Sequence, residues 1–212
     1  MSRADDARVA RQLIVFEALA ARKFRVAARA AVVVGARDEG TMAAALVAVI
    51  TRVSLAVRLD TRTAAAAQFE DSTGVATSAS GASDKSKALA TGRAYVRTWL
   101  RKLHDPAQSP GNGGRSGGGG SSDDWDTARL ASQPKLERLA AWDVLDTWND
   151  EHRRNALAQP DVAWTRVWCA ILDKHLCPSC RAKHGTKLTD DTPYEGWPPL
   201  HESCRCFVST SV

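Results

Sequence analysis

The first 90 residues contain no tryptophan, and the whole 212-residue chain has two tyrosines against seven tryptophans. Six of those tryptophans lie at or beyond Trp125, and the seventh is Trp99. Alanine-rich helical sequence fills the tryptophan-free part, so the two halves are built from different material. Long apolar runs are also missing. The longest, Met42 to Ile50, falls far short of the ~20 residues a spanning helix needs, which argues against a membrane partner. Near the N-terminus, Asp5, Asp6 and Glu17 take the place of an uninterrupted secretory apolar region, and no small-residue cleavage site follows. A chain without such a signal is expected in reducing cytosol, where clustered cysteines are more often metal ligands than disulfides. No internal repeat is visible.

What is present is an uneven charge. Residues 1–107 carry 17 Lys and Arg against 10 Asp and Glu, a net +7, whereas 108–124 and 125–212 are each −1. The excess is mostly arginine, and an asymmetry of this kind points to an acidic partner for the N-terminal half, either nucleic acid or an acidic protein face.

Hydrophobic periodicity predicts a helix over 4–34, with Val9, Leu13, Phe16, Leu19 and Phe24 at helical spacing. Arg8, Arg11, Arg22, Arg25 and Arg29 gather on one side of the same helix, opposite much of that apolar set. Over 21 residues such a stripe is about 30 Å long. Gly35 and Gly40 mark a turn, and Thr41 is a candidate N-cap for a second helix over 42–70, whose β-branched centre could also be extended. A third helix is predicted over 84–104 on Leu89, Val96, Leu100 and Leu103. The Gly/Ser-rich stretch 107–124 reads as a flexible linker or exposed loop. Pro134 suits the first turn of a helix over 134–158, with Leu136, Leu139, Leu145 and Trp148 buried. Two strands are then predicted, in "VAWTRVWCAIL" and "CRCFVSTSV". The fold class is therefore α+β, with a helical Arg-rich region (1–106), a linker (107–124) and a small cysteine-rich α+β domain (125–212).

Four of the five cysteines lie in "HLCPSCRAKHG" and "PPLHESCRC". Cys177 and Cys180 form C-x2-C, Cys204 and Cys206 form C-x-C, and His201 stands three residues before Cys204. Two thiolates on a tight turn and a second pair from a distant segment make a tetrahedral zinc set, with His201 as a nitrogen alternative. A regular strand through 204–206 is expected to leave only one of Cys204 and Cys206 facing the site, so the four ligands become Cys177, Cys180, His201 and one of those two. Structural thiols or a disulfide without metal are the alternative. Cys169, among Trp168 and Ile171, reads as a small buried hydrophobe.

In order, Arg154–Asn155, Trp164, Asp173, Cys177, Cys180, Gly185, Pro199, His201 and Cys204–Arg205–Cys206 resemble the C-terminal domain of the phage Mu F-like minor head (head morphogenesis) proteins, over about residues 145–208. Asp150 or Glu151 stands for the acidic helix residue of that pattern. Lys183–His184 departs from it, where an aliphatic residue is common, and residues 1–120 carry no motif of the family. The resemblance implies a non-enzymatic virion component, present in host cytoplasm during assembly and then near the portal vertex. It further implies contact with the portal protein, with major capsid or scaffolding protein, and with packaged double-stranded DNA. Some longer members carry an enzymatic or toxin domain after the Cys-Arg-Cys; with six residues after Cys206, none is expected here.

Two enzymatic readings compete, together with a zinc-stapled DNA-binding adaptor unrelated to phage heads. An HNH-type nuclease needs a further Asn and His on a helix after the metal strand, and only "FVSTSV" follows Cys206. A Cys-His hydrolase could pair Cys177 with His201 or His184, but the sequence names no third group to orient the base.

Overall fold

Positions spaced three or four apart give the first helix, α1 (Arg3–Val33), its inward face: Val9, Leu13, Glu17, Ala20, Phe24, Ala28 and Val32 are all buried. Leu19, expected in that set, is 51% exposed, and Phe16 is half-buried. The computed structural model describes residues 3–33, 38–77, 84–105, 122–174, 176–189, 192, 196–201 and 204–212. The Gly/Ser-rich stretch expected to be a flexible linker lies outside the described residues as far as 121. Its last three residues, 122–124, open a helix.

Helix α2 runs unbroken over Glu39–Thr73, so the β-branched centre is helical. Its N-cap is Asp38 rather than Thr41: one carboxylate oxygen accepts the Thr41 N–H at 2.8 Å and the other accepts the Thr41 hydroxyl at 2.7 Å. Gly40 therefore belongs to the first helical turn, and Gly35 is outside the described residues. By length and composition alone α2 is apolar enough to cross a membrane, which the nine-residue run had hidden. Helix α3 is Lys85–Leu103, and its buried face is Ala88, Thr91, Gly92, Tyr95, Val96 and Trp99. Of the four expected core residues only Val96 is buried, because the face turns to bring the two large rings inward. Helix α4 spans Ser122–Leu157 with Pro134 inside it, twelve residues past the start, not in a first turn. Strand β1 (Thr165–Ala170), helix α5 (Pro178–Lys183), strand β2 (Lys187–Leu188) and strand β3 (Cys206–Ser211) complete the chain. The strands make an antiparallel sheet in the order β2-β1-β3, with Thr165 opposite Ser211 and Ala170 opposite Cys206. The α+β class is as expected.

Two compact units do not follow the sequence boundaries at 106 and 125. One takes residues 1–19, 57–82 and 141–212; the other takes 20–56 and 83–140. In the second unit, a Cβ on Gly92 would stand 2.7 Å from Thr51 Oγ1 and 2.9 Å from the Val47 carbonyl, so only glycine permits this approach of α3 to α2. Trp99 Nε1 donates to the Trp125 carbonyl at 3.4 Å, and Ser132 Oγ bonds the Tyr95 hydroxyl at 3.2 Å.

The first unit buries charge. Arg58 of α2 donates to Asp146 at 2.9 Å, to Thr147 at 3.1 Å and to Asp143. Arg62, one turn later, donates to Glu151 at 2.7 Å and Asp150 at 3.0 Å, and Arg154 reaches Asp150 at 3.0 Å. Arg58, Arg62, Asp143 and Glu151 are at most 2% exposed. Burial alone would lower the Arg58 pKa, but the carboxylates of Asp143 and Asp146 overcome it and raise it. Removing one partner from such a pair strands the other in low dielectric and costs about 3–5 kcal/mol. Asn149 of α4 ties in the sheet: its Oδ1 accepts the Val208 N–H at 2.8 Å and its Nδ2 donates to the Cys206 carbonyl at 3.1 Å.

His152 is 1% exposed, stacked 5.4 Å from Trp148 and edge-on to Phe69, with neither ring nitrogen hydrogen-bonded among the described residues. Burial lowers its pKa from 6.5 to about 3. As pH falls the unfolded chain therefore takes this proton first. Nothing is lost above about 6.5, and stability then drops by about 1.4 kcal/mol per pH unit until about 3. Urea unfolding from pH 7 to pH 4 is expected to show that extra slope in the wild type and not in His152→Phe; equal slopes would refute it.

Candidate metal centre

The Cys177–Cys180 turn is built by local sequence. Cys177 is the N-cap of α5 in an extended conformation, Pro178 takes the first helical position, and Cys177 Sγ accepts the Cys180 N–H at 3.3 Å. The following return is fixed by Gly185, whose φ of 83° favours a residue without Cβ, and by paired bonds between Trp168 and the 185–186 backbone, each 2.8 Å. His184 Nδ1 accepts the Ala170 N–H at 3.1 Å, which directs that ring to the end of β1. The second arm turns at His201, whose carbonyl accepts the Cys204 N–H at 2.8 Å, and enters β3 at Cys206.

His201 Nε2 lies 3.2 Å from Cys177 Sγ and 3.3 Å from Cys180 Sγ, and Cys180 Sγ lies 3.5 Å from Cys204 Sγ. The donors form two triads that share Cys180: Cys177–Cys180–His201, and Cys180–Cys204–Cys206. Within each, all donor atoms are within 4.8 Å of one another. Cys180, Cys204 and Cys206 are at most 3% exposed, while Cys177 and His201 are half-buried. All five residues named from the sequence are thus brought together, and the donor set suits a metal ion. The expectation that strand alternation turns one of Cys204 and Cys206 away is corrected. Residues two apart on an extended chain share a face, and it is Arg205 between them that points elsewhere, to Glu17 at 2.5 Å and Asp173 at 2.8 Å.

The thiols divide by environment. The Cys180 N–H lowers the Cys177 pKa, and a hydrogen bond from Cys206 brings Cys204 down to about 6. Burial pushes Cys180 up to about 12, and holding the proton offered to Cys204 raises Cys206. Cys169 is the buried thiol expected: burial, then the nearby Asp6 carboxylate, push it up to about 12.

The arginine stripe is only partly available. Arg8 pairs with Asp71 at 2.6 Å and Arg25 with Glu137 at 2.7 Å, whereas Arg11, Arg22 and Arg29 are exposed. Sequence reasoning missed Arg58 and Arg62, which account for part of the basic excess of the first half by pairing with α4. Their i,i+4 spacing against Asp143, Asp146, Asp150 and Glu151 was the signal available. Arg205 was read only as part of a motif. No family model, curated protein or solved structure matches this chain.

Alkylation of the reduced, metal-free protein by iodoacetamide at pH 7.5 is expected to label Cys177 first, since it is the accessible thiol with a lowered pKa, and Cys169 and Cys206 last. Peptide mass mapping checks the order; early labelling of Cys169 would contradict it.

Proposed function

We propose that the chain is a non-enzymatic phage minor head protein of the Mu F-like kind, acting near the portal vertex in head assembly and in DNA packaging or retention, with its cysteine centre stapled by zinc. The observation that carries this reading is the convergence of both halves of the motif on one cluster of four thiols and an imidazole. Other motif residues have supporting tasks around it. Trp164 Nε1 donates to the carbonyls of Ala156 and Gln159 at the end of α4, Asp173 meets Arg205, and Gly185 makes the return after α5. A staple suits an excursion with so small a core of its own: Trp168, Ala170, Leu176 and the cysteines.

Zinc takes four N/S donors tetrahedrally, and when bound it would cross-link the two arms. Cys177, Cys180, His201 and Cys204 are the proposed ligands. Cys204 is next to Cys180 and feels His201, while Cys206, on the same face, hydrogen-bonds to Cys204. Native mass spectrometry of the reduced protein is expected to find one zinc per chain, lost in Cys177→Ser and Cys204→Ser and kept in Cys206→Ser. No zinc in the wild type would overturn the metal reading, and loss in Cys206→Ser alone would exchange the fourth ligand.

The exposed Arg11, Arg22 and Arg29 are the proposed contacts to packaged DNA or to the portal protein, since arginine pairs well with phosphate and carboxylate. Three phosphate contacts correspond to a log K against log salt slope of about −3. Changing all three to Gln keeps good helix formers in place and is expected to lower the yield of infectious, DNA-filled particles by about tenfold or more, the effect of losing several charged contacts. Normal yield would reduce the stripe to a solvated face.

A further inference from the structure

The five donors of the centre fall into two groups with one member in common. Cys177, Cys180 and His201 make the first, and Cys180, Cys204 and Cys206 make the second. Each group draws on both arms, so an ion in either would join the Cys177–Cys180 turn to the segment from His201 to Cys206. The groups differ in their access to solvent. Cys177 and His201 are half-buried, whereas Cys180, Cys204 and Cys206 are at most 3% exposed. Every donor is a sulfur or an imidazole nitrogen, and among the described residues no carboxylate joins either group. Hard cations, which take oxygen ligands, are poorly served by such a set.

Zinc fills this arrangement by taking four donors as one site, with Cys206 left over. It is ill suited to the second group alone, which offers three thiolates and is closed by burial to a solvent ligand that would complete a tetrahedron. A soft monovalent ion has no such need: thiolates select Cu(I), and three of them satisfy it. Trp168, 1% exposed, adds a second observation. Its indole N–H has no nitrogen or oxygen to donate to among the described residues, and it faces the Cys206 sulfur. A buried donor kept for that sulfur suits a metal-bound thiolate, which remains an acceptor, better than a spare thiol.

We propose that the centre also accepts two soft monovalent ions of the Cu(I) class, one in each group, with the Cys180 sulfur bridging them. This rests on the reading of the cluster as a metal site, and it gives Cys206, the thiol that zinc leaves out, a ligand's place. The same five side chains then hold either one zinc or two copper(I) ions, and both fillings join the two arms.

The test is anaerobic titration of the reduced, zinc-free full chain with Cu(I) against a competing Cu(I) chelator. Native mass spectrometry reads the stoichiometry, and X-ray absorption at the copper edge reads the neighbours of the bound ions. Two copper ions per chain are expected, with mostly sulfur neighbours and the copper–copper scattering that a shared sulfur produces. Cys206→Ser is expected to fall from two copper ions to one and to lose that scattering, while still taking one zinc, which shows that the variant folds. Cys169→Ser is expected to keep two, which separates the centre from the buried thiol of β1. Saturation of the wild type at one copper, two ions without copper–copper scattering, two ions retained in Cys206→Ser, or a drop in Cys169→Ser would each overturn the bridged pair. Zinc uptake by the wild type in any of those cases leaves the metal reading standing. If the wild type takes up neither zinc nor copper, both fall.

Discussion

Two arginines one turn apart on α2, facing four carboxylates on α4, set the terms for the whole first unit. Arg58 and Arg62 are almost wholly buried, and so are Asp143 and Glu151. Ions at that depth are tolerated only when every one is met, because desolvation of each costs several kcal/mol that a single imperfect contact does not return. The pairing therefore fixes the rotation and axial position of α2 against α4 within the unit more strictly than the alanine-rich apolar surface around it can. A one-residue slip would part the guanidinium groups from these carboxylates. Asn149, on the same helix, passes that precision to the sheet by bonding β3 on both its N–H and C=O sides.

The cysteine arms extend from the edge of this fixed body. β1 and β3 supply the platform, Asn149 holds β3 at Cys206 and Val208, and the two arms leave from the same end of the paired strands. Five donors converge there. The division of the thiols into two with lowered pKa and two raised follows from who donates to whom: Cys180 N–H to Cys177, and Cys206 to Cys204. A thiolate already made by its neighbours is a prepared ligand, so less proton release has to accompany metal capture.

Much of this was legible beforehand, and the failures have physical causes. The four long helices announced themselves through spacing, and the α+β ending through its β-branched runs and cysteines. The leucines of α3 suggest one buried face, but Tyr95 and Trp99 occupy another, since large rings command a face once a glycine such as Gly92 lets helices close. Pro134 suits a helix start by sequence, but the chain around it is already helix from Ser122. Strand alternation misleads at Cys204 and Cys206, because a period of two puts them on one face. By sequence the arginine excess reads as surface, facing a partner or solvent, yet Arg58 and Arg62 are internal, since hydropathy counts do not reveal which charges have a carboxylate waiting in a distant segment.

The first unit gathers its residues from three separated stretches, ending with β3. During synthesis this order has a consequence. Arg58 and Arg62 leave the ribosome some eighty residues before the carboxylates they need, and β1 waits a further forty for its partner β3. At ordinary elongation rates of about 5–20 residues per second, α2 spends several seconds with two cations on the face meant for burial. Those charges keep the nascent helix soluble and disfavour premature collapse onto other apolar helices, so the groups that later cement the interior first act as its guard against aggregation.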